Sequence, residues 1–396
     1  MAASAIFFVL AMAFLTVSAG PNIQADNLPD VYLKTPDLIR YHGYAVEEHE
    51  VVTKDGYYLT MHRIPYGIGQ TPTKGKPVVF LQHGLFCSSS DWVIMGPGKG
   101  LAFILADAGY DVWMGNARGN TYSSKNVGKT ESQYWDFSWN EMGMYDLPAE
   151  IDYVIAQTGE EHMFYVGHSM GTTMFYVMGA LRPEYNSKIR AHFSLAPVAF
   201  MDGVRSPMRL LAPFVNQIKW ISKFLGINQF FPSSDFYGFI GDALCKDEAI
   251  TQSLCTNVIF LICGYDSKEL NQTTIPVIMG HTPAGASTRQ VLHYAQEINS
   301  GKFRKYDYGL KNFLVYHSLH PPDYDLSLVT APVYLFYSGN DWLSGEENVM
   351  QLYEKLGNAQ GRFRVVHEDF NHLDYLWAID AKEMVYDKIM SLMKRH

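Results

Sequence analysis

Gly167-His168-Ser169-Met170-Gly171 restricts the possible folds of this chain more than any other stretch, because of what flanks it. Met163-Phe164-Tyr165-Val166 is a short apolar run that reads as a buried strand, and Thr172 to Met178 reads as the opening of a helix. A serine between two glycines at a sharp strand-to-helix turn is the setting of a nucleophile elbow. Glycine lets the backbone turn tightly and lets helix and strand approach closely. The serine is then held in a strained conformation with its hydroxyl above the sheet. The competing reading, a glycine-rich turn without chemistry, leaves the strand–helix setting unexplained. The pattern predicts an α/β fold with a mostly parallel sheet.

A serine hydroxyl is a weak nucleophile unless a base takes its proton and an acid orients that base. At such elbows the chain order is serine, then Asp or Glu, then His. Ala331 to Tyr337 is a β-rich run followed by the turn Ser338-Gly339-Asn340-Asp341, which puts Asp341 at the carboxyl end of a strand. Phe363 to Val366 reads as the last strand, with Asp369-Phe370-Asn371-His372 in the loop after it. His372 is therefore the expected base and Asp341 its orienter. His367 is the rival base, but it lies too close to the strand end. Two N–H donors should face the developing oxyanion. One is the backbone N–H of Met170. The other is assigned to Leu85, in the loop His83-Gly84-Leu85-Phe86 after the strand Pro77–Gln82. His83 itself reads as structural.

Beyond the elbow, the chain carries Asp55-Gly56-Tyr57, His83-Gly84-Leu85, Gly115 to Asn120, Tyr145-Asp146-Leu147-Pro148-Ala149, Leu195 to Ala199, Pro283-Ala284-Gly285, Asn340-Asp341 and Asn371 to Asp374. In that order, and over nearly all of the chain after about residue 30, it resembles the acid lipase family of gastric, lysosomal and insect lipases. The resemblance implies an α/β-hydrolase fold with a helical cap. It also implies a triad of Ser169, Asp341 and His372, an oxyanion hole from Leu85 and Met170, and no metal or organic cofactor. Members of that family carry Gln where this chain has Met170. The family pattern pairs Cys245 with Cys255 and places a mobile lid at about residues 233–262. The implied activity is hydrolysis of neutral lipid esters, triacylglycerols foremost, at a lipid–water interface. Cholesteryl esters or general carboxylic esters are the alternative substrates, and a catalytically silent lipid-binding or storage protein is the alternative outside enzymes.

The remaining features agree with an enzyme of the secretory route. Ile6 to Val17 is apolar and precedes Val17-Ser18-Ala19, which reads as a signal peptide over residues 1–19, too short for a convincing membrane span. No other segment stays apolar long enough to cross a bilayer, and no partner protein is indicated. The alternative to secretion is the lysosome. Asn271-Gln272-Thr273 is a glycosylation sequon. A formal net charge of -9 argues against nucleic acid as a partner. Cys87 and Cys263 read as free thiols, and the cysteine spacing lacks the CxxC pattern of a metal site. Residues 20–200 and 327–396 are the expected catalytic core, and 201–326 an inserted cap. Within the cap, Leu211, Phe214, Val215, Ile218, Ile221, Phe224 and Leu225 recur at helical spacing, which predicts a stripe packed on the core.

Overall fold

The computed structural model describes residues 29–230, 262–266 and 268–396. The expected signal peptide, Cys245 and Cys255 lie outside the described residues, as does the expected lid except for Ile262. Eight strands form the backbone of one sheet: β1 (Glu47–Val52), β2 (Tyr57–Ile64), β3 (Val78–Gln82), β4 (Asp111–Met114), β5 (Met163–His168), β6 (Ile189–Leu195), β7 (Val333–Tyr337) and β8 (Ala359–Arg364). Their spatial order is β1-β2-β4-β3-β5-β6-β7-β8, with the two-residue strand Lys125–Asn126 alongside β2. Pairs from β4 through β8 are parallel, whereas β1–β2 and β2–β4 are antiparallel. The β1–β2 hairpin turns at Asp55-Gly56, where Gly56 takes φ +89°.

Strands β3, β5 and β7 are buried at every position. Such near-continuous apolar runs are required where both faces of a parallel sheet are covered. Val78, Phe80, Tyr165 and Leu335 pack on one side, with residues of Leu147–Thr158 and Met170–Leu181. Val79, Leu81, Phe164, Val166 and Phe336 pack on the other, with residues of Leu101–Asp107 and Asp387–Met393. The sheet is thus sandwiched between helical layers, and its carboxyl-terminal edge is where the loops after β3, β5, β7 and β8 meet.

Two expectations shift. The last strand starts at Ala359 and ends at Arg364, rather than spanning Phe363 to Val366. It is an edge strand in which Gln360, Arg362 and Arg364 face solvent, so apolar content does not mark it. The helix Val215–Leu225 forms, but its stripe is only half used. Val215 is buried and Phe214 and Ile218 are half-buried, whereas Ile221, Phe224 and Leu225 are exposed. Its inner side rests on the helix Thr288–Ser300 and on Tyr306, within the 201–326 segment, instead of on the sheet core.

Candidate active site

Ser169 follows β5 and precedes the first residue of the helix Met170–Leu181, with φ 51° and ψ −117°. Few side chains tolerate that backbone, and the surroundings over-determine it. Ser169 N–H donates to the Leu195 carbonyl (3.0 Å), and its own carbonyl accepts from Thr172 N–H (2.9 Å). The flanking glycines are obligatory for space. A Cβ on Gly171 would fall 2.3 Å from the Gln82 carbonyl oxygen, and one on Gly167 would fall 2.9 Å from the Gly171 carbonyl carbon. Phe86 and Ala196 also take positive φ at the ends of neighbouring strands, so backbone strain gathers around the serine.

His372 Nε2 lies 2.8 Å from Ser169 Oγ, and His372 Nδ1 lies 2.8 and 3.0 Å from the two carboxylate oxygens of Asp341. A carboxylate only accepts, so Nδ1 carries the proton and Nε2 is left to accept from the serine hydroxyl. Asp341 is fully buried, and its Oδ1 also accepts the N–H groups of Leu343 (2.9 Å) and Ser344 (2.7 Å). The loops carrying the two residues are tied together. Asn340 donates to the carbonyls of Tyr265 (2.8 Å) and Asp369 (2.6 Å), and the Cys263 carbonyl accepts from both Trp342 and His372 N–H (3.3 Å each). An acid, an imidazole and a hydroxyl joined in this order can move a proton off the hydroxyl while the positive charge on the imidazole is balanced.

The expected donors of the oxyanion hole flank the serine. A Cβ on Gly84 would sit 3.1 Å from Ser169 Cβ, so the loop leading to Leu85 passes directly over the nucleophile. Met170 opens its helix, where N–H groups lack intrahelical acceptors. The Met170 side chain is buried, and its sulfur accepts from Gln290 Nε2 at 3.1 Å. Gln290 Oε1 in turn accepts from Ser287 N–H (2.7 Å). An amide therefore does stand behind the serine, supplied from the helix Thr288–Ser300.

His168 was not singled out by sequence reasoning, although it lies inside the motif. Its Nε2 donates to the carbonyl of His372 (2.8 Å), and Gly84 lies against its Nδ1, where a Cβ would come within 3.1 Å. It joins the elbow, the loop of His372 and the loop of Gly84. Burial pushes its imidazole down to about 3, so it stays neutral beside His372. His83 Nδ1 contacts the Gly84 carbonyl (2.8 Å) and Nε2 accepts from Ala117 N–H (3.0 Å), with burial lowering it to about 4. His367 lies 3.6 Å from Asp266 and 3.9 Å from Glu269, away from the serine. Arg118 is fully buried and holds Asp55 (2.6 Å) and Asp146 (2.8 Å) together beneath the loops. Cys87 and Cys263 are buried free thiols whose ionisation burial makes harder. Asn271 Oδ1 accepts from Thr273 Oγ1 at 2.8 Å.

The comparisons with known proteins agree with this fold. The model of the α/β hydrolase fold matches residues 77–379, and that of the partial α/β-hydrolase lipase region matches residues 35–96. Lipase 3 of Drosophila melanogaster is 48% identical over 364 residues, covering 89% of this chain and 91% of its own. Human gastric triacylglycerol lipase is 40% identical over 374 residues (92% of each chain). Human lysosomal acid lipase/cholesteryl ester hydrolase is 39% identical over 376 residues (93% of this chain and 92% of its own). Solved structures from Sulfolobus solfataricus (TM-score 0.55, 12% identity, 85% of this chain and 90% of that one) and Acinetobacter baumannii (TM-score 0.51, 14% identity, 95% and 99%) share the fold. The chain belongs to the α/β-hydrolase lipases, in the group of gastric, lysosomal acid and insect lipases.

Proposed function

We propose that this chain hydrolyses carboxylic ester bonds of neutral lipids, triacylglycerols foremost, through an acyl-enzyme on Ser169. The observation that carries the reading is the unbroken hydrogen-bond chain Asp341–His372–Ser169. Ser169 Oγ attacks the ester carbonyl as His372 Nε2 takes its proton. The oxyanion is met by the N–H groups of Leu85 and Met170, each worth about 2.7–4 kcal/mol at such a site. His372 returns the proton to the departing alcohol, leaving acyl-Ser169. Water then enters, gives its proton to His372, and the carboxylic acid leaves as Ser169 regains its hydrogen. Asp341 holds the tautomer throughout.

Residues 201–326 act as a cap over the catalytic core. The chain is secreted after removal of residues 1–19 and carries a glycan on Asn271. Among the described residues no helix is long and apolar enough to cross a membrane. Cholesteryl esters are a second substrate class, supported by the 39% identity to a lysosomal relative named for that hydrolysis.

The test is fatty-acid release from emulsified long-chain triacylglycerol and from cholesteryl oleate, with Ser169→Ala beside the wild type. Loss of the serine is expected to cut turnover by about 10⁶. A wild type as inactive as the variant on both lipids would return the chain to the lipid-binding reading.

A further inference from the structure

A cluster of exposed large apolar side chains lies on residues 309–320. The short helix Asn312–Tyr316 and its flanks present Leu310 (98% exposed), Phe313 (60%), Leu314 (77%) and Leu319 (73%) to solvent. Residues 310, 313 and 314 follow the i, i+3, i+4 spacing of one helical face. The segment is nevertheless firmly built. Asn312 is buried, and its amide donates to Asp307 Oδ1 (2.7 Å) and to the Leu319 carbonyl (3.0 Å). Tyr316 OH donates to the Tyr306 carbonyl (3.0 Å). A run such as Phe313-Leu314-Val315 left exposed on an ordered scaffold stands against the rule that buries large apolar side chains, and marks a contact surface.

Charge identifies what the surface meets. Residues 301–320 contain Lys302, Arg304, Lys305 and Lys311 and the acid Asp307; Arg304 is paired with Asp323 (3.0 Å), which leaves three lysines against Asp307, a formal +2 in a chain of net -9. The neighbouring helix Val215–Leu225 adds Lys219 and Lys223 and no acid. Lys219 reaches the Asp307 carbonyl (3.4 Å) and feels both Lys223 and Lys311. That helix also exposes Trp220 and Phe224, stacked on each other. Large apolar side chains ringed by lysines fit an apolar phase with a negatively charged surface. A second copy of the chain fits poorly. A stable dimer takes about 800 Å² and 20–30 residues from each partner, more than these few side chains supply, and two like-charged faces repel.

We infer that residues 309–320, with the outer face of Val215–Leu225, dock the protein on an anionic lipid–water surface. The inference rests on the lipase reading for its purpose, but docking can be measured without catalysis. The probe is a phosphatidylcholine vesicle with and without phosphatidylglycerol, in a flotation assay on the full chain. The variants are Leu310→Ser/Phe313→Ser/Leu314→Ser and, separately, Lys219→Gln/Lys223→Gln/Lys311→Gln. The apolar variant is expected to lose about tenfold or more in binding to the anionic vesicle. The lysine variant is expected to lose the preference for anionic over neutral vesicles. Both variants should hydrolyse a water-soluble short-chain ester at the wild-type rate, which also shows that they fold. Wild-type vesicle binding by the apolar variant overturns the inference. So does a wild-type dimer, seen by light scattering, that the variant breaks while vesicle binding is unchanged. A wild type that binds vesicles but hydrolyses no ester leaves the docking surface standing and removes the lipase reading alone.

Discussion

At the residue scale, His168 shows how a side chain outside the reacting set can govern it. Its Nε2–H is the donor to the carbonyl of His372, and both groups are buried. Removing the donor leaves that carbonyl unsatisfied, at a cost of about 1–3 kcal/mol, and frees the loop that sets the 2.8 Å contact with Ser169. Displacement of a catalytic group by an ångström costs about 10² in rate. His168→Leu is therefore expected to lower kcat on a soluble ester by about 10²-fold with KM nearly unchanged. His168→Gln, whose amide can still donate, should recover part of the loss. Steady-state kinetics of the two variants check this, and equal defects in both would deny the hydrogen bond its role. The triad positions were legible in the sequence because Ser169 and Asp341 each follow an apolar strand and His372 comes after them in the order such sites require. His168 was not, because the second position of the motif carries no constraint that spacing can reveal. The Gln290–Met170 contact joins residues 120 apart, and no local pattern announces such a pair.

At the scale of elements, the elbow is a packing device before it is a chemical one. The helix Met170–Leu181 starts so close to β3 that only hydrogen fits on Gly171, with the Gln82 carbonyl oxygen 2.3 Å from where a Cβ would stand. The obstacle is backbone, which cannot rotate away. Gly171→Ala is expected to push helix from strand, destabilise the fold by about 1–3 kcal/mol or more, and abolish ester hydrolysis. Urea unfolding and activity measured together check it, and a variant with wild-type stability would mean that the helix is free to move. The glycine spacing made this element readable. Periodicity was less informative elsewhere. At the β1–β2 turn the pair Asp55-Gly56 carries a local signal, because a hairpin turn favours positive φ. The edge strand β8 was misplaced, since its outward Gln and Arg side chains dilute the apolar signal. The stripe of Val215–Leu225 gave the helix correctly, but spacing alone cannot say whether an apolar face meets protein or something else.

At the scale of the whole molecule, the buried ionisable groups set a pH window for stability. His62 and His168 are pushed down to about 3 and His83 to about 4 by burial, and His192 and His293 are lowered as well. These imidazoles stay neutral in the fold but charge in the unfolded chain below about pH 6.5. Their contribution is fully present above that pH and is lost as pH falls toward the folded values. Asp55, lowered by its hydrogen bonds and charge pairing with Arg118 against its burial, loses its contribution on the same acid limb. Glu150, Glu297 and Asp374 are raised by burial, and Asp91 is raised to about 6. These carboxyls are protonated in the fold while the unfolded chain ionises above about pH 4.5, so their contribution is present at low pH and lost as pH rises. Between about pH 4.5 and 6.5 the proton uptake of the unfolded histidines offsets the proton loss of the unfolded carboxyls. Above that window only the carboxyls act, at about 1.4 kcal/mol per group for each pH unit until the folded group ionises. Thermal melting followed from pH 3.5 to 8.5 should therefore trace a dome with its summit on the acid side of neutral, at roughly pH 4.5–6.5. Glu150→Gln tests the alkaline limb directly, because the amide keeps the shape beside Gln82 and Gly115 and cannot ionise. It is expected to raise the melting temperature at pH 8 while leaving it nearly unchanged at pH 4.5, where the wild-type carboxyl is already neutral in the fold. An equal shift at both pH values would assign the effect to packing, and a summit above neutral would mean that water reaches the buried carboxyls.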